Sequence, residues 1–263
     1  DKGPNDEDRR TLRVVFSSLL VKLSKRRADT SDREMEKRLR KGLTTEMFVR
    51  KTEELVERYR ALRDATPPTA RAPRFVCGDA RRLASLVGDR EIDLVISSPP
   101  YGGTYDYAEH HVERSAWLGL DDRALTHNEI GARRHAKSED AHMRWDAAVL
   151  DVLTSIRDVT GRGARVFLLI GDGELDGHRI DASDHLAQLA DAAHMRFVAS
   201  ASAARPDWLG GTPRREHLVA LEPVSRKATA PARAPRFTPS RSDGPRGPRG
   251  SGAGSGARRR GKP

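Results

Sequence analysis

Ile92-Asp93-Leu94-Val95-Ile96-Ser97-Ser98-Pro99-Pro100-Tyr101-Gly102-Gly103 is the stretch whose reading decides the fold of this chain. A short apolar run bounded by polar residues predicts a buried strand over 92–97. It runs straight into a stiff corner. Two consecutive prolines fix two φ angles and remove two backbone donors, and Pro99 forces Ser98 out of the helical region. The corner ends in an aromatic residue and two glycines. A rigid platform at the C-terminal edge of a strand is where open α/β sheets bind ligands. This one offers a hydroxyl, carbonyls with no adjacent donor and an aromatic face, a set suited to gripping a planar base that carries an amino group.

The elements around the corner alternate. Residues 10–24 carry Leu12, Val15, Phe16, Leu19, Leu20 and Leu23 at helical spacing. Residues 25–43 are a charged connector, 45–63 a second helix, and Thr66-Pro67-Pro68 ends it. Strands are predicted at 74–77 and 92–97, joined by a helix around 80–87. Residues 106–119 read as a helix, 121–138 as polar and irregular, and 140–158 as a long helix. A buried strand follows at 165–170, then a helix at 183–193 capped by Asp181 or Ser183. Strands at 196–203 and 216–222 form an antiparallel hairpin at one edge. Strands alternating with helices predict a mostly parallel α/β sheet.

Ser98-Pro99-Pro100-Tyr101 after its apolar strand resembles the catalytic motif of S-adenosylmethionine-dependent amino-methyltransferases, which methylate N4 of cytosine or N6 of adenine in DNA. The family pattern is Asp, Asn or Ser, then Pro-Pro, then Tyr, Phe or Trp, and the match is complete. The Ser form is more like the N4-cytosine enzymes. Upstream, Arg74-Phe75-Val76-Cys77-Gly78-Asp79-Ala80 reads as a strand ending in Gly-Asp-Ala. In the family an acidic residue there lies near the adenine of the cofactor, which implies a cofactor role for Asp79 with Gly78 and Ala80. The alternative is that Asp79 caps the helix beginning near Arg81. The resemblance covers residues 74–222 and implies strands three to seven of a Rossmann-like methyltransferase sheet. Thr104-Tyr105-Asp106-Tyr107-Ala108-Glu109-His110-His111, followed by Trp117-Leu118-Gly119-Leu120, is also similar to bacterial proteins of this type.

What the resemblance implies for mechanism is positioning. The amino group of a base is a poor nucleophile, its lone pair delocalised into the ring. The base is flipped out of the duplex and stacked on Tyr101, while Ser98 and the Pro99 carbonyl accept the amino hydrogens and aim the lone pair at the sulfonium methyl. No metal and no covalent intermediate are implied, and no Pro-Cys motif for attack on C5 of cytosine is present. The partner is DNA, with RNA as the alternative substrate.

One departure stands out. The family's cofactor loop, Phe-x-Gly-x-Gly after the first strand, is not found in these residues. Gly171-Asp172-Gly173 follows a strand but lacks the Phe and reads as a glycine-permitted turn. The expectation is therefore an N-terminally truncated fragment with weak cofactor binding and an apolar sheet edge, either exposed or covered by the helix at 10–24. A non-catalytic nucleic-acid-binding remnant stays open as a reading.

Composition sets the outer bounds. The chain has 263 residues, 37% apolar and 33% charged. Residues 224–263 hold eleven Lys or Arg and one acid, Asp243, which accounts for the entire formal net charge of +10. Rich in Pro, Gly, Ser and Arg, this segment predicts a disordered basic tail able to contact phosphates. The organisation is then a helical segment at 1–68, a catalytic region at 69–223 and the tail at 224–263. A single cysteine, Cys77, excludes an intramolecular disulfide and a Cys-rich zinc site, and its strand predicts packing. Glu109-His110-His111 with His127, His135 and His142 lacks the spacing of a common metal site, so these side chains are expected to face solvent or DNA. Tyr105 and Tyr107 are candidates for the base pocket. Trp117, Trp145 and Trp208 read as core or loop anchors. The longest apolar run, Val166–Ile170, is too short to cross a bilayer. No signal peptide is visible, although the chain begins at Asp1; a cytoplasmic location is the default.

Overall fold

The computed structural model describes residues 5–25, 34–205 and 214–224. The basic tail, Trp208 and the loop 206–213 lie outside the described residues. Helices α1 (Asp6–Ser17), α2 (Leu20–Leu23) and α3 (Leu43–Ala65) come first. A 3-10 turn at Ala80–Arg82 leads into α4 (Leu83–Val87) and strand β1 (Ile92–Ser97). Then come α5 (Tyr107–His110), α6 (Val112–Leu118), α7 (Arg123–Asn128) and α8 (Ala141–Val159). Strand β2 (Thr160–Gly171) is followed by the hairpin β3 (Gly173–Leu175) and β4 (His178–Ile180). Helix α9 (Ala182–Ala192) and strands β5 (Met195–Arg205) and β6 (Arg214–Pro223) complete the fold.

The α/β class expected from the sequence is the one observed. The main sheet has the order β1-β2-β6-β5. β1 and β2 are parallel, and β6 runs antiparallel to both β2 and β5. Three of the four strands therefore point the same way, with β6 reversed between two of them. The β5–β6 hairpin sits at one edge, as the sequence predicts.

Several expectations fail. The strand at 92–97 forms where expected but is not buried: each of its residues is half-buried or exposed. The helix expected over 10–24 is divided into α1 and α2, and the stretch 121–138, expected to be irregular, contains α7. Residues 74–77 form no strand: they are irregular, Phe75 is 89% exposed and Cys77 is exposed rather than packed. A strand needs a neighbour, and among the described residues nothing pairs along the free edge of β1. The single helix predicted over 106–119 is two, broken at His111.

One face of the sheet is covered. Val166, Leu168 and Ile170 of β2 and Val219 and Leu221 of β6 pack against Trp145, Val149, Leu153 and Ile156 of α8 and Leu186 and Ala190 of α9. Truncating one of these leucines to alanine costs about 2–5 kcal/mol by transfer and cavity terms. Among the described residues the opposite face is largely bare. Leu94 and Ile96 are 51% and 75% exposed, and Leu169 and Leu218 lie partly open beside them. The predicted apolar edge is thus present, but α1 does not cover it. Arg13 and Trp117 exchange two hydrogen bonds, Arg13 Nη2 to the Trp117 carbonyl (2.7 Å) and Trp117 Nε1 to the Arg13 carbonyl (3.1 Å), and Phe16 stands 4.7 Å from the Trp117 ring. Trp117 is thus an anchor between α1 and α6.

Caps fix where the helices beside the site begin. Asp181 accepts from the Ser183 and Asp184 amides and opens α9. Helix α8 is capped from a distance: Asp176, in the β3–β4 turn, accepts from the Ala141 and His142 amides at 3.2 Å each. Asp176 and Gly177 both take positive φ, 55° and 73°, the pattern of a tight two-residue hairpin turn for which Asp-Gly is favoured.

Candidate active site

The corner leaves β1 at its C-terminal end and is fastened from three sides. Ser98 is exposed, and Pro99, Pro100 and Tyr101 are half-buried. Trp145 of α8 donates its indole N–H to the Pro100 carbonyl at 3.3 Å. Gly103, at φ 64°, donates its amide to the Gly131 carbonyl at 2.9 Å. Gly171-Asp172-Gly173 lies directly against the corner. A Cβ on Gly173 would stand 2.1 Å from the Gly102 carbonyl oxygen, and one on Gly171 would stand 2.8 Å from the Tyr101 ring. These two glycines are there for close approach, and the segment the sequence presents as a turn is the bed on which the corner rests. Among the described residues no donor reaches the Pro99 carbonyl.

Tyr101 is locked in place. Its hydroxyl donates to Glu216 Oε1 at 2.6 Å, and Arg205 donates to the same oxygen at 2.6 Å. Burial and the Glu216 carboxylate raise the phenol's pKa, and the nearby Ser98 hydroxyl and Arg205 charge pull the other way. The ring therefore stays neutral, a flat apolar face held at its tip.

Behind it runs a chain of polar groups. Asp172, 4% exposed, accepts at Oδ1 from the Ala182 amide (3.1 Å) and His217 Nε2 (2.9 Å), and at Oδ2 from the Arg215 amide (3.0 Å). His217 Nδ1 meets the Ser202 hydroxyl at 2.8 Å. Burial pushes the Asp172 pKa up, but the bonds from His217 and the two amides outweigh it and bring the value down. The residue types are those of a nucleophile relay, with the ring reversed: the carboxylate sits on Nε2 and the serine on Nδ1. Its evident effect is to tie the end of β2 to β6, β5 and the start of α9.

Asp79 caps the 3-10 turn, as the alternative reading expects. It accepts from the Arg81 amide at 2.9 Å and takes the Arg81 guanidinium on both oxygens. Those bonds, led by the side-chain pair, hold its carboxyl below the usual range. Gly78 packs under Leu86, and Ala80 is exposed.

The loops after the corner are built around Asp106, 2% exposed. It accepts from the Arg134 amide (2.9 Å) and from Arg133 Nε (3.2 Å), while Arg134 also bridges to Glu129 at 2.6 Å. His110 is buried at 1% and stands edge-on to Tyr105, 4.3 Å away, so the expectation that it faces solvent or DNA fails. Tyr107 stays 39% exposed, 4.4 Å from Tyr105. A cleft of about 370 Å³ opens beside these loops, lined by Arg81, His127, Glu129, Arg144, Trp145 and Asp151 among others. None of the predicted site residues lines it. It adjoins them through Arg81, partner of Asp79, and Trp145, partner of Pro100.

Sequence reasoning misses Glu216, the hairpin cap Asp176 and the role of Trp145. Their signals are weak: an acid in a strand, an Asp-Gly pair and a helical Trp acquire roles only once distant segments meet.

No family profile matches the chain. It is 30% identical over 87 residues to the type II methyltransferase M.MjaII of Methanocaldococcus jannaschii. That match covers 33% of this chain and 16% of the relative, so the chain spans about a sixth of the curated relative's length. A protein assigned as a DNA modification methylase from Thermus thermophilus aligns with 17% identity and a TM-score of 0.33, over 58% of this chain and 55% of that one. The 1,6-didemethyltoxoflavin-N1-methyltransferase of Burkholderia thailandensis aligns at 15% identity and a TM-score of 0.26, over 72% and 94% of the two chains. At these scores the alignments carry no argument, and the fold rests on the chain's own topology.

Proposed function

We propose that this chain carries the base-handling part of an S-adenosylmethionine-dependent methyltransferase that modifies an exocyclic amino group in DNA, N4 of cytosine ahead of N6 of adenine. The observation that carries the reading is the corner itself. Ser98-Pro99-Pro100-Tyr101 projects from the C-terminal end of β1 and is held by Trp145, Gly173 and Glu216. The 87-residue likeness to a type II methyltransferase supports the same class.

In this reading the exposed Ser98 hydroxyl and the Pro99 carbonyl accept the two amino hydrogens, and the neutral Tyr101 ring stacks on the base. Orientation of the amine is the chain's contribution. The cofactor, when bound, supplies an electrophilic methyl group. Asp79, with Gly78 and Ala80, would hold its adenine end. The fit there is conditional on exchange: the Asp79 carboxylate is ionised and 35% exposed, but its lone pairs are taken by Arg81, so a ligand amine binds in place of that guanidinium or beside it.

The test is to incubate DNA and RNA separately with the protein and labelled cofactor, then identify modified nucleosides by mass spectrometry. N4-methylcytosine in DNA is the expected product. N6-methyladenine would correct the base, label in RNA alone would move the substrate, and no label in either would sink the reading.

A further inference from the structure

Two clusters of histidine and aspartate lie outside the corner among the described residues: His142, Asp146 and His185, and Asp172, Asp181 and His217. The second is spoken for. Asp172 already receives two amides and a histidine, Arg179 stands 3.6 Å from it, and Asp181 caps α9. A cation there would have to displace a cap and face a guanidinium.

We propose that His142, Asp146 and His185 form a binding site for a divalent transition ion of the zinc class. His142 and Asp146 are four residues apart on α8 and so share a face. His185 comes from the first turns of α9 and meets them. The Asp146 Oδ1 oxygen lies 3.5 Å from His142 Nε2 and 2.6 Å from His185 Nε2. All three ligand atoms fall within 4.8 Å of one another. Zinc–nitrogen and zinc–oxygen bonds of about 2.0–2.2 Å in a tetrahedron set ligands about 3.4 Å apart. The first spacing already suits that. The second is a hydrogen bond, and widens by under about 1 Å when an ion replaces the shared proton.

The donor set is two imidazoles and a carboxylate, without a thiolate, which suits zinc and its neighbours over calcium or magnesium. The surroundings are those of a built site. Trp145 stacks on the His185 ring with centroids 5.4 Å apart and planes at 26°, which fixes the ring's orientation. His185 is 8% exposed while His142 is 20% and Asp146 23%, so the cluster is closed behind His185 and partly open on its other side. Three protein ligands leave one position for water. Because Trp145 also holds the Pro100 carbonyl, an ion here pins α8 to α9 directly behind the corner.

The experiment is titration of the metal-stripped full chain with zinc chloride by calorimetry, with thermal melts at each step. One equivalent binding with micromolar affinity and a rise in Tm are expected. His142→Ala and His185→Gln should each weaken binding at least about tenfold and abolish the rise; glutamine keeps a donor to Asp146, and circular dichroism checks that each variant is folded. His127→Ala, an exposed histidine, should bind as the natural chain does. No zinc binding, or binding that neither His142→Ala nor His185→Gln weakens, overturns the proposal.

Discussion

At the scale of single residues, the proposed role of the corner separates what would touch a base from what holds that residue in place. Tyr101 contributes a ring, and Glu216 and Gly171 place it. The variants should divide accordingly. Tyr101→Phe keeps the ring and loses only the bond to Glu216, so methyl transfer should fall a few-fold at most. Tyr101→Ala removes the stacking face, worth roughly 1–3 kcal/mol for a base on an aromatic, and should lower kcat/KM by roughly ten- to a hundred-fold. Gly171→Ala leaves Tyr101 chemically intact but drives a methyl to 2.8 Å from its ring. It should behave like Tyr101→Ala in turnover if position matters as much as identity. Steady-state kinetics on the three variants, with circular dichroism to show that each is folded, decides it. Full activity in Tyr101→Ala would remove the ring from the site.

At the scale of elements, β1, β2, α8, α9 and the final hairpin are legible because each carries its period and its boundary signals in a few consecutive residues. Val166–Ile170 is an unbroken apolar run of strand length, and Asp181 stands where a cap should. The segment at 74–77 misleads because Phe75, Val76 and Cys77 have a strand's composition but, among the described residues, no neighbour to pair with. The corner's prolines are legible for a local reason, since they act on their own φ angles; its supports are not, since Trp145, Asp172 and Glu216 reach it from positions far along the chain. Asp172 shows what such a support is worth. Its folded pKa lies below its unfolded value near about 3.9. The stability it adds is therefore fully present above that unfolded value and is lost as pH falls through the lower, folded one. Asp172→Asn places an amide donor among donors that need an acceptor. It should cost about 2–3 kcal/mol at pH 7, and the gap from the natural chain should close below about pH 4. Urea unfolding at a series of pH values measures this, and a gap that stays constant down to acid would show that the carboxylate's charge contributes nothing.

At the scale of the whole molecule, charge and chemistry are divided along the chain. Residues 1–223 are formally neutral, and residues 224–263 carry the whole +10. If the corner orients a base as proposed, residues 1–223 still have no net charge with which to draw a polyanion. Attraction to DNA should then come chiefly from the eleven Lys and Arg of the C-terminal segment. Each phosphate they neutralise releases counterions and adds about −0.9 to the slope of log affinity against log salt. Removing residues 224–263 should leave the melting temperature unchanged, since the core of α8, α9, β2 and β6 lies wholly before them. Affinity for a DNA duplex at low salt should drop, and the salt slope should shrink by several units. At high salt, where the electrostatic part is screened, the two forms should converge. Fluorescence anisotropy across a salt series gives both quantities. An unchanged slope would mean that the basic segment does not touch phosphates and that contact with nucleic acid belongs to the loops between β1 and α8, where Arg133 and Arg134 already turn towards Asp106 and Glu129.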